Sequence, residues 1–151
     1  MSDRPYSGSK ANPVAAEQRI KALLKKFGVQ MVSITDDYEH ETLMVLFKYR
    51  NMPAKVPMGY GALAKKWLAE QPYSRRRHKS KADYEVNIKA TAYRAAFSVL
   101  EDLLKATVTL VDLGFKSFEE VFLADIVMEG EKRVIEIMRP RLMALRERNE
   151  G

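Results

Sequence analysis

Residues 29–50 read VQMVSITDDYEHETLMVLFKYR, and here the hydrophobic period changes from helical to extended. The two outer segments are rich in β-branched, aromatic and large aliphatic residues, and the acidic DDYEH between them is typical of a hairpin connection. In the second segment Leu43, Val45, Phe47 and Tyr49 alternate with residues that face the other way. The next segment, NMPAKVPM, has two prolines, which confine any third strand to a short edge segment. The pattern predicts a small antiparallel sheet.

Helical periods surround this sheet. Asn12-Pro13 favours a helix start and Gly28 a helix end, so an N-terminal helix precedes the first strand. GYGALAKKWLAEQP after the sheet predicts a second helix that Pro72 stops. Ser117 opens a capping box for a short helix, and Pro140 is predicted to kink or break the last one.

The longest helical pattern covers residues 82–113. A helix of that length spans about 45 Å, which exceeds the width of a small domain. We therefore expect part of this helix to project, to break near its start, or to pack against another subunit of a homo-oligomer.

These elements predict an α+β fold, with an N-terminal helix, a small antiparallel β-sheet and a helical C-terminal half containing one long helix. Residues 1–11 are polar and predict a flexible tail, and residues 12–151 predict a single domain. Within that domain we distinguish a basic hairpin and helix part (12–72), a basic loop (73–81) and a helical part (82–151).

Composition restricts the class of protein. With 46% hydrophobic residues, the 151-residue chain can bury a core, and a soluble globular domain is expected. No long apolar run predicts a membrane span, and the polar MSDRPYSGSKANP does not resemble a signal peptide, so we expect a cytoplasmic protein without a membrane partner. The absence of cysteine excludes disulfides and thiolate chemistry. No cofactor and no metal ligand is expected.

The net charge of +6 is unevenly distributed. Residues 1–81 contain 16 Lys and Arg against 7 Asp and Glu, a net +9, whereas residues 82–151 contain 10 against 13, a net −3. This asymmetry indicates a surface that faces a polyanion on one part of the chain.

The basic loop, YSRRRHKSK at 73–81, contains the densest group of cations. Such side chains neutralise phosphates, and a neighbouring tyrosine offers a stacking surface for a base. The predicted nucleic-acid-binding residues are Arg75, Arg76, Arg77, Lys79, Lys81 and Tyr73, extended by Lys65, Lys66, Lys48 and Arg50. Trp67 and Tyr60 fall on an apolar helix face and are assigned to the core. A solvated linker and a site for an acidic protein partner stay open as interpretations of the loop.

Catalytic patterns are weak. Asp36, Asp37, Glu39 and Glu41 would have to supply the Mg²⁺ ligands of a metal-dependent nuclease, but adjacent residues of a turn do not converge on one ion, so a polar turn is favoured. No nucleophile motif or phosphate-binding glycine loop occurs, and we assign no catalytic residue. His40 and His78 are interpreted as surface residues.

The stretch LEDLLKATVTLVDLGFKSFEEVFLADIVMEGEKRVIEIMRPRL, residues 100–142, resembles small uncharacterised proteins of bacteriophages and prophages. Those proteins pair a strand-rich N-terminal half with a helix, a glycine, an acidic-aromatic segment and a short glycine turn. The resemblance implies a mobile-element setting and assigns no residue roles.

Together these features favour a non-enzymatic nucleic-acid-associated protein of phage or mobile-element type, a subunit of a nucleoprotein complex that binds the phosphate backbone of DNA or RNA through the basic loop. The first alternative is a protein-interaction module, such as a phage inhibitor or adaptor of a host nucleoprotein or defence system. The second is the metal-dependent nuclease.

Overall fold

The structure, a computed structural model, describes residues 5–10 and 12–150 of the chain. Within these residues five α-helices and one three-stranded antiparallel sheet confirm the predicted α+β class. The elements follow in the order α1 (Pro13–Phe27), β1 (Met31–Asp37), β2 (Thr42–Tyr49), β3 (Met52–Met58), α2 (Tyr60–Glu70), α3 (Lys81–Asp112), α4 (Phe118–Phe122) and α5 (Val134–Glu150). Two 3-10 turns, Leu123–Asp125 and Glu129–Glu131, connect α4 to α5.

The sheet is a meander with β2 at its centre. Leu43, Val45 and Phe47 on β2 are buried, as their alternation predicts. β3 forms an edge, also as predicted, but it runs for seven residues and is as long as β1. Its prolines, Pro53 and Pro57, are tolerated because an edge strand can leave one side of its backbone without a ladder partner.

The N-terminal helix begins and ends where its sequence predicts. The Asn12 side chain accepts hydrogen bonds from the amides of Val14 and Ala15, and Gly28 ends the helix with a left-handed φ of 105°. That conformation costs glycine little, since it has no Cβ. The buried face of α1 packs against α3, so this helix joins the two halves of the chain.

The long helix α3 is the centre of the fold. It runs for 32 residues without a break, and its buried positions extend from Tyr84 to Val108. The prediction that it would break or project is wrong, because α1 and α2 both pack along it and β2 also contacts it. Its length is therefore accounted for by contacts within one chain, and pairing with a second copy stays a prediction.

The last helix passes through Pro140 without a break, so the predicted break is wrong, and a kink at this residue stays a prediction. Pro140 lacks the amide that would bond to the carbonyl of Glu136, four residues earlier. Both residues are exposed, and water can satisfy that carbonyl.

Residues 5–10, part of the predicted flexible tail, lie against α3. The Tyr6 hydroxyl donates to the Asp102 carboxylate at 2.6 Å, and the hydroxyl oxygens of Ser9 and Ser98 are 3.0 Å apart. Arg94 Nε donates to the Ser9 carbonyl at 3.2 Å. Residues 1–4 and 11 of that predicted tail lie outside the described residues.

Ser117 makes the predicted capping box at the start of α4. Its hydroxyl accepts from the Glu120 amide at 3.2 Å, and the Glu120 carboxylate accepts from the Ser117 amide at 3.3 Å. We expect Ser117→Ala to lower the free energy of unfolding by about 1 kcal/mol, because an amide at the helix start loses its acceptor. Urea denaturation measures this loss. Lys116→Ala, an exposed neighbour outside the box, is the matched control and should leave the midpoint unchanged.

Candidate nucleic-acid interface

The basic loop, residues 73–81, joins the end of α2 to the first residue of α3. The amides of Arg77 and His78 both donate to the Ser74 carbonyl, at 3.1 and 3.0 Å, and form a tight turn. At the end of the loop the Ser80 side chain caps α3 by accepting from the Asp83 amide at 3.3 Å. The backbone of the loop therefore has a defined conformation, held by hydrogen bonds that do not involve its cationic side chains.

Three rings attach the loop to the domain. The His78 imidazole stacks on Tyr84 with ring centroids 4.0 Å apart. The centroid of the Tyr73 ring lies 6.3 Å from that of His78 and 6.2 Å from that of Tyr84. The Tyr84 hydroxyl donates to the Gln71 carbonyl, and the Tyr73 hydroxyl donates to the His78 carbonyl. We call Tyr73, His78 and Tyr84 the ring anchor. Because it bonds to backbone on both sides of the turn, it fixes where the turn sits on the domain.

The loop cations face solvent. Arg75, Arg76, Arg77, Lys79 and Lys81 are all exposed. Across residues 5–10 and 12–150, none of these five side chains forms an ion pair with a carboxylate. Their charges are therefore not neutralised within the described part of the protein and can be offered to an anionic partner.

Two of the predicted flanking cations lie on α2, beside the loop. Lys65 and Lys66 are exposed there. Lys65 lines a groove of about 700 Å³ between α2 and α3, and that groove shares Leu68 and Glu85 with a smaller cavity bordered by Tyr73 and Lys81. The structure thus brings Lys65 close to the base of the loop.

The other two flanking cations lie elsewhere. Arg50 occupies the turn between β2 and β3 with a left-handed φ of 47°, and Lys48 is two residues before it. Arg50 borders a cavity with Val111 near the end of α3, whereas the basic loop precedes the start of this helix. Thirty helical residues separate Lys81 from Val111, a distance of about 45 Å. The expectation that Lys48 and Arg50 extend the loop surface is therefore wrong.

Two of the aromatic residues lie where the sequence predicts, and the Tyr73 and His78 rings are less exposed than expected. Tyr60 and Trp67 are 6% and 4% exposed and belong to the core. Tyr73 is half-buried and packs against the core as well as in the ring anchor, so only part of its ring faces solvent. His78, predicted to be a surface residue, is half-buried because its ring stacks on Tyr84.

The carboxylates at the end of β1 and in the turn that follows it bind separate partners. Asp36 accepts from the Tyr93 hydroxyl at 2.8 Å, and Glu41 pairs with Lys89 at 3.0 Å. Asp37 accepts from the His40 amide, and this bond is the largest of the effects that lower the pKa of Asp37. No group of three or more His, Asp or Glu side chains in the described ranges is placed to hold a metal ion. The nuclease hypothesis therefore gains no support from this turn.

Comparison of the chain with protein families, with curated proteins and with solved structures found no match. Among the helices of residues 5–10 and 12–150, none is long and apolar enough to cross a membrane.

Proposed function

We propose that this protein is a non-enzymatic nucleic-acid-associated protein that binds phosphate backbones through the basic loop. One observation carries the proposal: the loop has five exposed, unpaired cations on a turn that the ring anchor fixes to the domain. Lysine and arginine contacts to phosphates supply most of the affinity of sequence-independent binding. Holding the cations on a fixed turn reduces the conformational entropy that is lost when they bind.

The proposed surface consists of the loop with Lys65 and Lys66, and with the solvent-facing part of the Tyr73 ring as a place for a base to stack. It excludes Lys48 and Arg50, which lie at the other end of α3. Readout of base sequence is not part of the proposal, because contacts from cations to phosphates position a protein without reading bases. We further propose a cytoplasmic location and a phage or mobile-element setting, the latter on the resemblance of residues 100–142.

Salt dependence tests this proposal directly. We expect the full chain to bind a short labelled DNA duplex with an affinity that falls linearly on a log–log plot, with a slope of about −3 to −5 if three to five cations contact phosphates. Fluorescence anisotropy between about 50 and 200 mM salt measures this slope. The same oligonucleotides as DNA and RNA single strands identify the preferred strand state. The proposal would be wrong if the protein did not bind the oligonucleotides or bound them with an affinity that does not depend on salt.

A second candidate function is a protein-interaction module. It is favoured by α5, of which no residue is buried. Purification from the native context with and without nuclease separates the two functions, since a protein complex survives the treatment and an association through nucleic acid does not.

A further inference from the structure

Helix α5 extends from the domain with an apolar stripe that is half-buried at Ile135 and Met138 and exposed from Leu142 onward. Its first turn is fixed, because Val134 packs against the core and Arg133 Nη1 donates to Asp125 at 2.9 Å. From residue 139 to residue 150 every residue is exposed. Leu142 and Leu145 are 47% and 43% exposed, which is unusual for large aliphatic residues at periodic helix positions.

The stripe has the spacing of a coiled-coil seam. Successive intervals of 3, 4, 3 and 4 residues separate its members, which are Ile135, Met138, Leu142, Leu145 and Asn149. In a heptad labelled abcdefg, the a positions are occupied by Ile135, Leu142 and Asn149, and the d positions by Met138 and Leu145. A polar residue at one a position is a known device for fixing the register and number of helices. The stripe therefore fits a second helix better than a flat surface.

Arginines line both sides of this seam. Arg139 and Arg146 occupy the e positions, and Arg141 and Arg148 occupy the g positions. The acidic residues of α5 are Glu136, Glu147 and Glu150, at the b and f positions on the side away from the seam, where Pro140 also lies. One exposed pair, between Arg146 and Glu150 at 3.4 Å, is of the kind that contributes little energy in water. The charge beside the seam is thus uniformly positive.

We propose that α5 docks an amphipathic helix of another protein whose apolar seam is flanked by carboxylates. The e and g positions set partner choice in paired helices, and four arginines there select Glu or Asp on the partner. A second copy of this chain is disfavoured, because parallel or antiparallel pairing places arginine opposite arginine. A membrane-surface helix would need one broad continuous apolar face, whereas the other exposed apolar residues, Ile137 and Met143, lie apart from the seam at c and b positions. A nucleic acid is bound through cations and polar groups and does not require a seam of Leu and Met.

Two synthetic helices test the assignment against the full-length protein. Each is about three heptads long with Ile and Leu in its seam and one Asn at an a position, and the two differ only in having Glu or Lys at e and g. We expect the Glu helix to bind at least about tenfold more tightly than the Lys helix, measured by fluorescence anisotropy of the labelled peptide. Equal binding of both peptides, or binding of neither, overturns the proposal.

Variants of α5 make the test specific. Replacing Arg139, Arg141, Arg146 and Arg148 by Glu should reverse the preference between the two peptides, a gain that a folding defect cannot produce. Leu142→Ser with Leu145→Ser should abolish binding of the Glu helix and leave the thermal unfolding midpoint unchanged, because both side chains are exposed.

Three other outcomes would assign the face to a different occupant and overturn the proposal. The first is self-association of the protein in sedimentation equilibrium that the serine variant abolishes. The second is adsorption to phosphatidylcholine–phosphatidylserine vesicles without binding to the Glu helix. The third is an equal loss of oligonucleotide and Glu-helix affinity in the four-glutamate variant. The basic loop is intact in every variant, so failure here is distinguishable from failure of the proposed nucleic-acid function.

Discussion

Reversing the charge of Arg75, Arg76 and Arg77 together is expected to abolish binding to DNA or RNA at physiological salt and to leave the fold intact. All three side chains are exposed and unpaired, so the change replaces up to three phosphate contacts by three repulsions. We expect at least about a 100-fold loss of affinity, and the residual binding should have a log–log salt slope shallower by about 3. Anisotropy titrations at several salt concentrations measure both quantities.

The fold should survive this reversal because the loop conformation does not depend on the three side chains. The amides of Arg77 and His78 make the turn, and the ring anchor attaches it to α3. Circular dichroism and urea denaturation of the triple variant are therefore expected to match those of the parent.

A matched control separates the loop from net charge. Lys25, Lys26 and Lys116 are exposed cations at the other end of the molecule, where Phe27 and Lys116 border one cavity. Replacing them by Glu changes the net charge by the same amount as the loop reversal. We expect this control to lower affinity by no more than about threefold, because charges beyond a Debye length of about 10 Å are largely screened. An equal loss in both variants would mean that binding follows the total charge and not the loop.

Local periodicity explains how much of the fold could be predicted. The alternation of Leu43, Val45 and Phe47, the cap at Asn12 and the box at Ser117 are all short-range signals, and the structure has each of them. The wrong prediction for α3 has a long-range cause, whereas the exposed Pro140 is accommodated locally in α5. The length of α3 follows from its helical pattern, but the packing of both α1 and α2 along it does not.

The candidate site, like the fold, is predictable from the sequence only in part. The density of cations in the basic loop is visible in the sequence, but the position of Lys48 and Arg50 depends on which end of β2 lies near which end of α3. No periodic pattern encodes that direction. The ring anchor is not predicted although its signal is present, since Tyr73 and Tyr84 bracket the cations and His78 lies among them. The cation pattern indicates a ligand surface at Tyr73 and a surface position at His78, and it does not predict that the two rings pack together.

The ring anchor yields the largest expected effect on stability. Tyr84 is 5% exposed, its ring stacks on His78, and its hydroxyl donates to the Gln71 carbonyl. We expect Tyr84→Ala to lower the free energy of unfolding by about 3–5 kcal/mol, because a large buried ring is replaced by a cavity. Tyr84→Phe keeps the ring and loses the hydrogen bond, so its loss should be about 0.5–1.5 kcal/mol. Urea denaturation of both variants measures these values.

The same pair of variants asks whether the fixed position of the loop matters for binding, since both retain all five cations. If the anchor orders the loop before it meets a phosphate backbone, Tyr84→Ala should weaken binding by about threefold to tenfold and Tyr84→Phe by less than about twofold. Phe97→Ala is the control, because Phe97 is 1% exposed on the same helix and belongs to a different ring cluster. This variant should lower the free energy of unfolding by a similar amount and leave the affinity of the folded protein for nucleic acid unchanged. Unchanged affinity in Tyr84→Ala would instead mean that the fixed position of the loop does not contribute to binding, since the charge of the five cations would then account for it alone.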